Sequence, residues 1–339
     1  MRALVRIPDV VGHPVICGTL FLRVRIPSGS GPASRIILGH GYRNASGSRL
    51  WLLALWLHPT EEVRTKGATM DICHLTLTAE RPGRLPLFPD APRYLEALRR
   101  LGAACKGCLA LFALLAEHLH LVAPITRAAG GRMSQAVISA LHSVVATPLA
   151  SGYPTMVESR DHLRHLLRYI LRQPIKHHMP GHPALWIGSC LPDLLGARMI
   201  DGLSLCVKRV LPDTTDGQAL AIVGLSGHQL VAADRQTLRA VGAHRLRLAA
   251  AAAFGVDPEL AGNDRAPVMA RRAVVQIAQR VGIHSAEVIA ALGRSRRTLW
   301  RLRRPALEDA VLKVVARRVT LENWVQQALA AAPVTQLPR

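Results

Sequence analysis

Leu111-Phe112-Ala113-Leu114-Leu115-Ala116-Glu117-His118-Leu119-His120-Leu121-Val122-Ala123 is the stretch whose reading decides the fold. Its first half continues an almost unbroken apolar run from Cys108, which predicts a central strand buried on both faces. Its second half alternates. His118 and His120 fall on one side of an extended chain, and Leu119 and Leu121 on the other.

Working outward, Cys73 to Ala79 alternates in the same way. His74, Thr76 and Thr78 share one face, and Cys73, Leu75 and Leu77 the other. Asp90 opens a helix with Pro92 in its first turn. Leu95, Leu98 and Leu101 form its stripe and Gly102 is expected to close it. Residues 126–157 read ambiguously. Ser159 caps a further helix, expected to stop near Gln173 because Pro174 follows. Residues 180–196 read as loop with a short helix. The order strand, helix, strand, strand, helix predicts an α+β layer, helices against an antiparallel sheet.

Residues 1–69 mix Gly, Ser, Pro and Arg around short apolar pieces, without sustained periodicity. They are expected to be a poorly structured or dispensable extension. The functional domain is expected over 70–196, a linker region over 197–236, and an all-α domain over 237–330.

Composition narrows the partners. Lys and Arg number 43 against 22 acids, a formal net charge of +21, and half of the chain is apolar. So basic a surface attracts polyanions, nucleic acid first. No apolar run reaches the ~18 residues of a membrane span, and no secretory signal is visible, so no membrane partner is expected. Six sparse cysteines suit a reducing cytoplasm.

Two imidazoles on one strand face can hold a divalent cation, although an HxH pair also arises among ordinary structural histidines. On the helix from Arg160, Leu163, Leu166, Leu167 and Ile170 form the apolar stripe. His162, His165, Tyr169 and Gln173 form a neighbouring polar one. Tyr169 and Gln173 are one turn apart. A phenol can act as a covalent nucleophile and an amide oxygen can bind a hard cation.

Three blocks, DICHLTLTAERPGRLPLF (71–88), LFALLAEHLHLVA (111–123) and DHLRHLLRYILRQPIKHHMPGHPALWIGS (161–189), together resemble the single-tyrosine HUH transposases associated with repetitive extragenic palindromes. The resemblance spans about residues 70–196. It implies a ferredoxin-like sheet, Mg²⁺ or Mn²⁺ held by His118 and His120 with Gln173 as third ligand, and Tyr169 attacking a DNA phosphate. The implied product is a 5′-phosphotyrosine link on hairpin or palindromic single-stranded DNA, reversed by a free 3′-OH in strand transfer. The sequence departs from the family at Ala116-Glu117, where Pro often precedes the acid. It departs again in residues 126–157, and at Gln173-Pro174, where Asn-Pro is familiar. The alternative is a catalytically retired DNA-binding regulator. Family members act as monomers or dimers, so a homodimer stands among the expected partners. Cys105 and Cys108 suggest a rival, a Cys₂His₂ zinc site with His118 and His120.

Near the C-terminus, Val274, Ile277, Ala278 and Val281 mark one helix. Ser285 is expected to cap a second, ended by Gly293, and Ser295 a third over 296–304, stopped by Pro305. This spacing predicts a helix-turn-helix with Arg294, Ser295, Arg296, Arg297, Thr298 and Arg301 toward duplex DNA. Between Arg265 and Arg318 there are 13 Lys or Arg and 3 acids, a net of +10. FGVDPELAGNDRAPVMARRAVVQIAQRVG (254–282), continuing through AALGRSRRTLWRL (290–302), resembles the C-terminal duplex-binding domain of the DnaA replication initiator, with no ATPase domain before it.

Overall fold

The computed structural model describes residues 20–24, 35–43, 49–52, 71–83 and 85–331. The chain divides at residue 68 into two compact units. In the first, β1 (Leu20–Val24), β2 (Arg35–Arg43) and β3 (Arg49–Leu52) form an antiparallel meander. The extension therefore contains strands where no period was legible. Its remaining residues, on which its dispensability also turns, lie outside those described.

The second unit is mixed α+β. β4 (Cys73–Thr78) buries Cys73, Leu75 and Leu77 completely and turns His74, Thr76 and Thr78 the other way. Asp90 caps α1 (Ala91–Cys105) by accepting from the Arg93 amide. The helix passes through Gly102 and closes at Lys106, which adopts the left-handed conformation. Gly102 serves close packing instead: a Cβ there would lie 2.7 Å from the Leu203 amide nitrogen.

β5 (Leu111–Leu114) and β6 (His118–Ala123) form the hairpin of the opening stretch. Thr126 caps α2 (Arg127–Leu141), which occupies much of the ambiguous segment. β7 (Thr155–Met156) follows. The four strands are antiparallel in the order β5-β6-β4-β7. β5 is thus an edge strand, not a central one. It is buried throughout because residues 188–190 seal its edge: the Leu114 amide donates to Gly188 and the Cys190 amide to Phe112.

α3 (Arg160–Lys176) begins at the Ser159 cap and continues past Pro174. A proline in the last turn forfeits a single backbone hydrogen bond, and Leu171, Gln173 and Pro174 are all buried there. The 3₁₀ turn Pro183–Leu185 and α4 (Leu191–Leu194) follow.

Residues 197–236, read from sequence as a linker region, are packed. They carry α5 (Val207–Val210) and α6 (Asp216–Ile222), and they bury Ile200, Leu203, Leu211, Leu220 and Leu225 in the same core as the sheet.

A second core lies among α7 (Arg235–Phe254), α8 (Arg265–Val281), α9 (Ser285–Leu292), α10 (Arg296–Leu302) and α11 (Asp309–Ala331). α11 joins the two cores. Its Leu312, Val315 and Val319 belong to the second, and Leu321 and Val325 to the first. Arg99 also donates to the Gly255 carbonyl at 2.6 Å, and the Met199 amide to Ala253 at 2.7 Å. No helix among the described residues is long and apolar enough to cross a membrane.

Candidate functional site

Register assembles the site. Antiparallel pairing sets Thr76 opposite His120 and Thr78 opposite His118, so the polar faces of β4 and β6 merge. His120 is almost fully buried. Its Nδ1 lies 3.2 Å from both Thr76 Oγ1 and His74 Nε2, while its Nε2 is buried without a hydrogen-bond partner among the described residues.

α3 brings the phenol to this face. The Tyr169 and His120 ring centroids are 5.3 Å apart, and those of His118 and His120 4.8 Å. Tyr169 and both histidines of the HxH pair line one cavity of about 670 Å³, together with His74, His162, His165, Lys176 and His177. Tyr169 is 40% exposed. Lys176 Nζ lies 5.6 Å from the Tyr169 ring centroid.

Gln173 is placed differently. Its side chain is fully buried, with both amide atoms unpartnered among the described residues, and it lines an adjoining cavity shared with Tyr169 and Lys176. An unpaired buried amide costs roughly 1–3 kcal/mol, a cost that a cation bound through Oε1 would offset.

The electrostatics keep the imidazoles neutral. Burial, then the neighbouring His118, His74, His177 and Lys176, pushes His120 down to about 3. Burial also lowers His118, helped by His177 and Lys176 against Glu117. His74 is lowered by burial and then His162, and His177 by burial and then Lys176. Neutral imidazoles keep the lone pairs that a cation needs.

Among the described residues no group of three or more His, Cys, Asp or Glu side chains could hold a metal ion. Cys105 is buried, and burial pushes its thiol up to about 12, whereas Cys108 is exposed; neither lines the histidine cavity. His118 and His120 line one cavity, and the Gln173 amide lines the adjoining one.

Sequence reasoning did not assign His74, Thr76, Lys176 or His177 to the site. The alternation HLTLT already placed His74 and Thr76 on the polar face. Lys176 and His177 were lost because the helix was expected to end at Pro174.

The second candidate region is α9–α10. His284, not Ser285, caps α9: its Nδ1 accepts from the Ala286 amide at 3.3 Å. Gly293, at φ 58°, closes α9 in the left-handed region, and Ser295 caps α10. α10 ends at Leu302, short of the expected Arg304.

Arg294, Ser295, Arg296, Arg297 and Arg301 are exposed. Thr298 is half-buried, 3.1 Å from the Ser295 hydroxyl. None of these arginines forms an ion pair among the described residues. Trp300, absent from the sequence reading, is 65% exposed among them.

No protein-family model matches this chain, and searches of curated proteins and of solved structures return no match either.

Proposed function

We propose that the protein is a divalent-metal-dependent enzyme that nicks and rejoins single-stranded DNA through Tyr169, and that its C-terminal helices hold duplex DNA. The observation carrying this reading is the convergence of His118, His120 and Tyr169 on one cavity, with His120 Nε2 buried and unpartnered beside the phenol. The strand–helix–strand–strand–helix–strand order and the sheet order β5-β6-β4-β7 support the reading of a ferredoxin-like sheet that the resemblance implies. α9, the glycine-closed turn and α10 suit a helix-turn-helix.

His118, His120 and the Gln173 amide oxygen would hold Mg²⁺ or Mn²⁺. When bound, the cation polarises the scissile phosphate. His74 and Thr76 hold the Nδ1 side of His120, so its buried Nε2 is the nitrogen left for a cation. The Tyr169 oxygen forms the new bond to phosphorus. The phenol gives up its proton and the departing 3′ oxygen takes one up. Lys176, whose ammonium is 5.6 Å from the Tyr169 ring centroid, would oppose the charge that develops on the phosphate. A 3′-OH from another strand reverses the exchange, so no external energy source is needed.

The test is incubation of the full chain with single-stranded hairpins and Mn²⁺, then denaturing electrophoresis. Wild type should give a covalent protein–DNA adduct and Tyr169→Phe none. Adduct formation by Tyr169→Phe would remove the nucleophile assignment.

A further inference from the structure

α3 carries a second functional face. Arg164, Arg168 and Arg172 recur every fourth residue, so they lie along one crest, about 6 Å apart in rise. All three are exposed. Arg164 pairs with Asp161 at 2.7 Å, but Arg168 and Arg172 have no ion-pair or hydrogen-bond partner among the described residues.

Beside the crest lies a cavity of about 610 Å³, within the range of small-ligand sites. Leu167, Leu211, Ala221 and Ile222 give it an apolar floor, and the three arginines line it. Gln218, also in the lining, accepts from the Thr215 amide through Oε1, which leaves its NH₂ to donate. The Asp213 carboxylate in the same wall is held by Arg160 at 2.7 Å.

The cavities follow one another around the helix. The histidine cavity shares Tyr169 and Lys176 with the small cavity at Gln173, which shares Arg168 and Arg172 with the arginine-lined one. A cationic crest over an apolar floor matches a ligand with anionic groups along an edge and a flat, weakly polar body. An unpaired nucleotide has that form.

We propose that this groove receives the single-stranded DNA held at Tyr169: Arg168 and Arg172 contact its phosphates, and one unpaired base enters the cavity. The inference rests on the proposed strand-transfer reading and adds the path of the strand and a base-binding subsite.

The experiment measures fluorescence anisotropy of the full chain with a hairpin oligodeoxynucleotide bearing a single-stranded flank. On wild type, single abasic sites are stepped through the flank. One position should weaken binding more than its neighbours. The double variant Arg168→Ala/Arg172→Ala should lower affinity about tenfold or more and reduce the log–log salt slope by about two. Ala221→Trp, which fills the cavity, should flatten the abasic profile.

A flat wild-type profile, or an unchanged salt slope in the double variant, overturns the groove. Circular dichroism checks that the variants fold, and the abasic scan requires no variant. Adducts formed beside a flat profile defeat the groove alone; absence of both adduct and single-strand binding defeats the underlying reading too.

Discussion

The histidine cavity and the α9–α10 surface treat charge in opposite ways. In the cavity, burial and mutual repulsion hold four imidazoles neutral, and His120 Nε2 is left unpartnered among the described residues, as is the Gln173 amide in the adjoining cavity. On α10 the arginines stand in solvent without acidic partners among the described residues. The first arrangement suits directional bonds to a small cation. The second suits a screened attraction to a polyanion. Changes in the cavity should therefore act all-or-none on chemistry, and changes on α10 should act gradually and with salt.

The largest expected effect is that of Tyr169→Phe, which should cut adduct formation to below about a thousandth while changing hairpin affinity little. Quantitative gel analysis at saturating protein checks it. His74→Ala, which removes a support and not a ligand, should weaken Mn²⁺ binding by about 10–100-fold, read by calorimetry. Arg296→Ala with Arg301→Ala should lower the salt slope of duplex binding by about two and leave hairpin cleavage at saturation intact.

A smaller effect sharpens the contrast from the adjoining cavity. Gln173→Met replaces a buried unpaired amide with a side chain of similar size. It should stabilise the metal-free protein by about 1–2 kcal/mol in thermal melting and abolish the stabilisation gained on adding Mn²⁺.

The last effect concerns pH. His120 lies at about 3 in the folded chain against 6.5 ordinarily, so the unfolded chain takes up the proton first as pH falls. Stability should be retained above about 6.5 and lost progressively below it. His120→Asn should make melting temperature less steep between pH 6.5 and 4.5.

What the sequence revealed was local. Alternation located β4 and β6, and the caps at Asp90, Ser159 and Ser295 marked helix starts because each depends on a side chain reaching an amide three residues on. What it concealed was tertiary. An apolar run cannot distinguish a central strand from an edge strand sealed by residues 188–190. Polar residues around 197–236 hid apolar positions that join a distant core. Pro174 signalled a helix end, but packing at Leu171 carries the turn far enough to bring Lys176 and His177 to the cavity.

The decisive measurement is electron–nuclear double resonance on the full chain with Mn²⁺ and a single-stranded hairpin. The account predicts two directly bonded imidazole nitrogens, one lost in His118→Ala and one in His120→Ala, together with coupling to a DNA phosphorus. Stoichiometric Mn²⁺ without imidazole coupling, or with couplings indifferent to both substitutions, would contradict it.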